Sequence, residues 1–342
     1  MISRVFALAL LVFVMGCSGP SGPDSQDWTS FKSYFITPAG RILDTHNNNT
    51  SHSEGQGIGM LLSVAHNDRK TFEQIYAWTV KHLQIRDDRL FAWTWSPDSQ
   101  PPVSDLNNAS DGDILIAWAL YLAAERWNNP DYRQAANGIA DDIRAKLVRL
   151  TPHYGLVLLP AEKGFEARGR ITVNLSYWVF PAFVLFEREN PAPEWRQLNE
   201  SGLKLLQVAR FGRWQLPPDW LEIEKNQLHL PDKFAPHFGY NAVRIPLYLI
   251  WSKFDDTQRL EPFRVFWSYF VGGRFTPAWA DLTDNSVDSY DMSPGFYAIR
   301  DLVFQQTKYK SDLSDNNPID QQEDYYSTSL RMLAQLAWVS TG

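Results

Sequence analysis

The chain has 342 residues, 44% of them hydrophobic and 21% charged, the composition of an ordinary globular fold with a large core. A net charge of −7 and a pI near 5.5 exclude the basic face that a nucleic-acid partner needs. The single cysteine, Cys17, excludes an intramolecular disulfide and a thiolate zinc site. The seven histidines form no HExxH pair, so no metal or cofactor is expected.

Residues 1–17, MISRVFALALLVFVMGC, place Arg4 before an apolar run that ends at Met15. The run is too short to span a bilayer and reads as a secretory signal. Its last four residues, VMGC, resemble a bacterial lipobox, which makes Cys17 the lipid-attachment site of a periplasmic or outer-membrane lipoprotein. The membrane is then met only through this anchor. Residues 18–27, rich in Ser, Gly and Pro, read as a flexible tether, and residues 28–342 as one domain.

Helical signals recur from Trp28 onward. Trp28–Phe35 supplies a short helix, and residues 54–67 carry Ile58, Leu61, Leu62 and Ala65 at helical spacing. Asp68 is placed to cap the next helix, with Phe72, Ile75, Tyr76, Thr79 and Leu83 on one face. Ser110 is placed to cap a helix reaching Trp127, and Pro130 opens another. Further helices are expected over 174–188, 192–209, 240–253, 258–270, 292–306 and 322–339. Longer loops fall at 86–109, 151–173, 210–239 and 272–291. Some eleven or twelve helices in antiparallel pairs define a single all-α domain, and a monomer is expected.

Four stretches carry chemistry. In SHSEGQGIGM, Ser51 and Glu54 fit a capping box, yet Gly55, Gly57 and Gly59 each cost about 1 kcal/mol in a helix. Three such residues imply a close approach to the backbone. A shielded Glu54 there would have a raised pKa and could serve as a general acid. DLNNASDGD (105–113) sets Asp105, Asp111 and Asp113 at a helix mouth, and it lacks the length and terminal Glu of a calcium loop. In FAWTWS, Trp93 and Trp95 are two apart, so an extended segment would turn both indoles to one side, as a sugar platform or as core. In HFGYNAVR, Tyr240, Asn241 and Arg244 stand at a helix start.

SEGQGIGM, AWTWS, NNASDGD, NLSYW and GYNAVR, in this order and spacing, resemble glycoside hydrolase family 8. The nearest likeness is to the endoglucanase encoded with bacterial cellulose synthases. The match runs from about Trp28 to the C-terminus. The resemblance implies an (α/α)6 barrel and hydrolysis of β-1,4-glucan with inversion, a reaction needing two carboxyl groups about 6.5–9.5 Å apart. It implies that Glu54 is the general acid and that Asp111 holds the sugar at the cleavage point. Trp93 and Trp95 would form the platform. Asp105, Tyr177, Tyr240 and Arg244 would be substrate contacts. Chitosan and xylan are alternative β-1,4 substrates.

One residue departs from the family pattern. Where the main branch has an aspartate base, this chain has Asn241, and a neutral amide takes no proton from water. Three explanations stand. Another carboxylate, such as Glu222, Glu224, Asp232 or Asp291, serves as base; the chain is a weak or inactive glucan binder; or the Asn is an engineered substitution that traps substrate.

Overall fold

The computed structural model describes residues 25–304, 319 and 323–341, so the signal and Cys17 lie outside the described residues. Helix α1 (Ser25–Phe35) starts ahead of Trp28 and takes in the end of the expected tether. The reason is an ionic and hydrogen-bonded seat for Asp27. This buried side chain accepts from Gln335 at 2.8 Å and lies 3.5 Å from the Arg331 guanidinium. The folded domain therefore begins before residue 28.

The other helices are α2 (Ser53–Ala65), α3 (Arg69–His82), α4 (Ser110–Trp127), α5 (Pro130–Leu147), α6 (Phe180–Glu189), α7 (Pro193–Val208), α8 (Arg244–Trp251), α9 (Thr257–Tyr269), α10 (Pro294–Phe304) and α11 (Tyr325–Thr341). Asp68 caps α3 as expected, accepting from the Thr71 amide at 3.1 Å, and Phe72, Ile75, Thr79 and Leu83 are buried. The helix expected from 174 begins only at Phe180, behind a 3-10 turn over Leu175–Tyr177 that Asn174 caps.

Helices α2, α4, α6, α8, α10 and α11 pack side by side in a ring that closes from α11 back to α2. Helices α1, α3, α5, α7 and α9 pack outside it, on α11, α2, α4, α6 and α10. This is the expected (α/α)6 barrel. The inner helices run parallel. Arg244 at the start of α8 meets Glu54 and Asp111 in the first turns of α2 and α4, and the Gly295 amide of α10 donates to Ser327 of α11. Their N-termini therefore share one end of the barrel, called here the mouth, and their C-termini share the base. An inner helix is covered on every side, which is why α4 is buried from Ser110 through Tyr121.

Glycine makes the ring tight where α2 meets its neighbours. A Cβ on Gly59 would lie 2.1 Å from the Ile42 side chain, and one on Gly57 would lie 2.7 Å from Leu115 of α4. The close approach expected of these glycines is thus made by the protein itself, not by a ligand. Gly112 sits at the same contact from the α4 side: its Cβ would meet Ser53 Oγ at 2.1 Å and the Glu54 amide at 2.7 Å.

The long loops are more ordered than their composition suggests. β1 (Ser51–His52) pairs with β2 (Thr94–Trp95), and β3 (Val148–Thr151) with β4 (Gly155–Leu158). β5 (Glu166–Ala167), β6 (Arg170–Val173), β7 (Leu221–Glu224) and β8 (Gln227–His229) form one antiparallel sheet from two loops far apart in sequence. β9 (His237–Phe238) pairs with β10 (Ala280–Asp281). Local pattern does not reveal such pairings, because each strand is two to four residues long and the β1–β2, β6–β7 and β9–β10 pairs join segments distant in sequence.

Gly112→Ala should lower the melting temperature by several degrees. In a free helix the change would stabilise by about 1 kcal/mol, but here overpacking against Ser53 costs about 1–3 kcal/mol. Thermal unfolding monitored by circular dichroism checks the sign; an unchanged or raised midpoint would show that the two first turns can move apart freely.

Candidate active site

Glu54 is the second residue of α2 and points into the mouth. The capping box expected around it does not form. The N-cap is His52, without a side-chain cap, and Ser51 Oγ instead donates to the Ile42 carbonyl at 2.6 Å. The helix start is held by the Ser53 amide, which donates to the Trp93 carbonyl at 3.0 Å. The expected Ser110 cap of α4 is also absent: Ala109 is the N-cap, and Ser110 is already helical.

Arg244 gathers the charged centre. Its guanidinium pairs with Glu54, lies 3.3 Å from Asp111 Oδ2, and donates to Ser176 Oγ at 3.1 Å and Asn241 Oδ1 at 3.2 Å. It also lies over the Tyr177 ring at 5.6 Å. A guanidinium suits this position because its planar fork serves several acceptors at once. It is buried among these groups, so its contacts are with the carboxylates rather than with solvent. The two carboxylates differ in access: the Glu54 side chain is 23% exposed and that of Asp111 is 4% exposed. Burial pushes the Asp111 carboxyl well above the usual carboxylate range, while the Gly112 amide opposes the shift. Arg244 acts in the same direction as that amide. Asp113 is also pushed up by burial, to about 7, but it accepts from Asn108 at 2.7 Å and the Phe91 amide at 2.9 Å and belongs to the scaffold.

Asn241 stands beside this centre. Its Oδ1 accepts from Asn174 Nδ2 at 3.0 Å as well as from Arg244, so its carbonyl is committed to two donors. The four acids considered as substitutes have other partners or positions. Glu222 and Glu224 pair with Arg170 across the β6–β7 ladder at 3.3 and 3.4 Å. Asp291 accepts from the Thr276 amide at 2.9 Å and Tyr297 Oη at 2.6 Å. Asp232 is exposed on a loop.

An acid that the sequence reading passed over lies closer. Asp219 Oδ1 accepts three backbone amides, from Gly239 at 3.0 Å, Asn241 at 3.2 Å and Ala242 at 2.7 Å. Asp219 is 8% exposed, and burial pushes its carboxyl up to about 6 against the lowering effect of those amides. The sequence signal was slight: a single aspartate between Pro218 and Trp220 in a loop.

The aromatic residues line the mouth unevenly. Trp93 is 39% exposed, stacks on His52 at 6.0 Å and 18°, and donates Nε1–H to Asp105 Oδ2 at 3.0 Å. Trp95 is half-buried, edge-on to Trp78 and covered by Arg41 at 4.7 Å. The expected pair of indoles is therefore one platform, Trp93, plus one packed side chain. Asp105 holds that platform rather than standing free. Tyr177 lies edge-on to Trp220, which stacks with both Phe165 and Phe234. Tyr240 is exposed, with its hydroxyl 3.1 Å from that of Tyr290 and its carbonyl accepting from Tyr326.

A double ring of helices that opens on acids and a flat indole is the architecture of a barrel glycoside hydrolase. The chain belongs to the glycosyl hydrolases of family 8, whose model matches residues 1–340. It is 36% identical to a probable endoglucanase of Novacetimonas hansenii over 94% of this chain and 93% of that one. It is 37% identical to an endoglucanase of Cellulomonas uda over 81% of this chain and 76% of that one. The fold matches endoglucanase Cel10 of Klebsiella pneumoniae with a TM-score of 0.85 at 36% identity, covering 92% of this chain and 99% of that chain. It matches endo-β-1,4-glucanase CMCax of Acetobacter xylinum with a TM-score of 0.84 at 36% identity, covering 92% and 98%.

Asp105→Ala should free the Trp93 indole and raise KM for a soluble glucan several-fold while leaving kcat within about twofold, because a loosened platform loses ground-state and transition-state binding alike. Steady-state kinetics decide: a fall in kcat at constant KM would place Asp105 in the chemistry instead.

Proposed function

We propose that this chain is an endo-β-1,4-glucanase that cleaves with inversion, of the kind associated with bacterial cellulose synthesis. The observation that carries the reading is the difference in access between two carboxyl groups held by one guanidinium. Glu54 reaches the cleft, and Asp111 is buried behind it. Its family membership and endoglucanase relatives support the same reading.

In this reading Glu54 gives its proton to the glycosidic oxygen as the bond to the anomeric carbon breaks. Water attacks that carbon from the opposite face, and a base removes the proton the water loses. Asp111, buried against Arg244, orients the sugar at the cleavage point. Trp93 offers a flat face for a neighbouring ring. Asp219 is the base. Three amides pin its Oδ1, which leaves Oδ2 as the oxygen to take the proton. Asn241, whose carbonyl is already occupied, positions groups but cannot serve as base.

Glu54→Gln should abolish release of reducing ends from carboxymethylcellulose and leave the circular dichroism spectrum unchanged. Retained activity would remove Glu54 from the acid role. Asp219→Asn should lower kcat about 10²–10⁴-fold. The base works as the carboxylate, and burial raises its pKa to about 6. The wild-type rate should therefore fall as the pH drops below about 6, rather than below the usual aspartate value near 4. An acidic limb near 4 together with an active Asp219→Asn variant would exclude Asp219.

Asn241 favours one second reading, a protein that holds glucan with little turnover. Calorimetric binding of cellopentaose to the wild type, with no cleavage on long incubation, would establish that instead. For location we propose export and lipid attachment at Cys17. The apolar run ending in VMGC supports this, and no described helix is long and apolar enough to cross a membrane.

A further inference from the structure

The base of the barrel holds a second cavity. Its volume is about 950 Å³, within the range of small-molecule sites. Leu61 and Val64 of α2, Trp118 and Leu122 of α4, Trp251 of α8 and Leu336 of α11 form its apolar wall. Trp118 and Trp251 meet edge to face at 4.9 Å within it. These residues lie in the middle and last turns of inner helices whose first turns build the mouth, so the cavity and the catalytic cleft are at opposite ends.

Two further observations identify an occupant. The first is charge. Arg126, Arg188 and Lys253 line the cavity with a single acid, Glu125. Arg188 pairs with Glu125 and Glu189, whereas Arg126 and Lys253 make no ion pair among the described residues. The second is the path of the chain. The first turn of α1 sits toward the same end: Trp28 stacks on His66 just past the end of α2, and Asp27 bonds Gln335 in the second half of α11. The eight residues from Cys17 to the start of α1 span at most about 27 Å, so an anchor at Cys17 keeps this face next to a bilayer.

We propose that the base of the barrel is a lipid-binding face. Anionic headgroups meet Arg126 and Lys253, an acyl chain enters the apolar cavity, and the cleft is directed away from the membrane. The proposal extends the anchoring reading, which supplies the position of the membrane. Its test omits Cys17, so failure here leaves that reading standing.

The chain from Ser18 onward, which keeps every described residue, is mixed with vesicles of phosphatidylethanolamine and phosphatidylglycerol and centrifuged. It should sediment with them and remain free of phosphatidylcholine vesicles. The double variant Arg126→Glu/Lys253→Glu should weaken association by about tenfold or more, since basic residues near an anionic surface each contribute measurably. Val184→Asp places a charge on an exposed residue of the cavity wall and should also release the protein. Both variants lie away from the mouth and should hydrolyse carboxymethylcellulose at the wild-type rate, which also reports that they fold. Absence of sedimentation with anionic vesicles would overturn the proposal. So would sedimentation that Val184→Asp leaves intact. Binding of free dodecanoate without vesicle binding would also overturn it, by marking a pocket for a soluble amphiphile.

Discussion

The site depends on where one guanidinium sits. Arg244 begins α8, yet it holds the first turns of α2 and α4 and the turn before α6 through Glu54, Asp111 and Ser176. Two buried or half-buried carboxylates side by side repel each other, and one of them would be forced to take up a proton. A cation between them relieves that repulsion. Its own burial is tolerable only because acceptors surround it. Removing one partner would strand the others, a change that typically costs about 3–5 kcal/mol. Gly112 matters for the same reason: without a side chain there, α4 approaches α2 closely enough for one guanidinium to reach both acids.

Helix pairs and a single domain follow from apolar spacing, and the structure follows that spacing closely: α3, α7, α9 and α11 lie within a few residues of the expected spans. The mouth was legible as far as its acids stand at helix starts, where composition and glycine mark them. Three details were not legible, and each is tertiary. The Ser51 box fails because Ser51 is drawn into β1 opposite Trp95, with its hydroxyl donating to the Ile42 carbonyl, so that the N-cap falls on His52. Trp95 is packed rather than displayed because Arg41 and Trp78, distant in sequence, cover both its face and its edge. Asp219 was invisible because its partners are backbone amides, which carry no residue identity to read.

That last point bears on how an amide can occupy position 241 in an enzyme. Backbone amides around a carboxylate lower its pKa and burial raises it; at Asp219 burial prevails and the carboxyl sits near 6. A base with that value remains ionised at neutral pH and still binds a proton more readily than an exposed aspartate. Asn241 contributes its own amide to the cradle, so the residue that cannot be the base helps to hold the one proposed for that role. An aspartate at 241 would bring a second negative charge to the same turn, raising Asp219 further and competing for Arg244.

The parallel inner ring also divides the molecule electrically. Six helix N-termini converge at the mouth, and each presents partial positive charge and unpaired amides to the groups placed there. Acids stand at that end: Glu54 and Asp111 both lie in first turns. The C-termini at the base carry the opposite partial charge, and Arg126 and Arg188 fall in the last turns of α4 and α6 with Lys253 just past α8. The helix ends that gather acids at the mouth thus gather cations at the base. A chain built this way can present a neutral polymer to one end and an anionic surface to the other without the two competing.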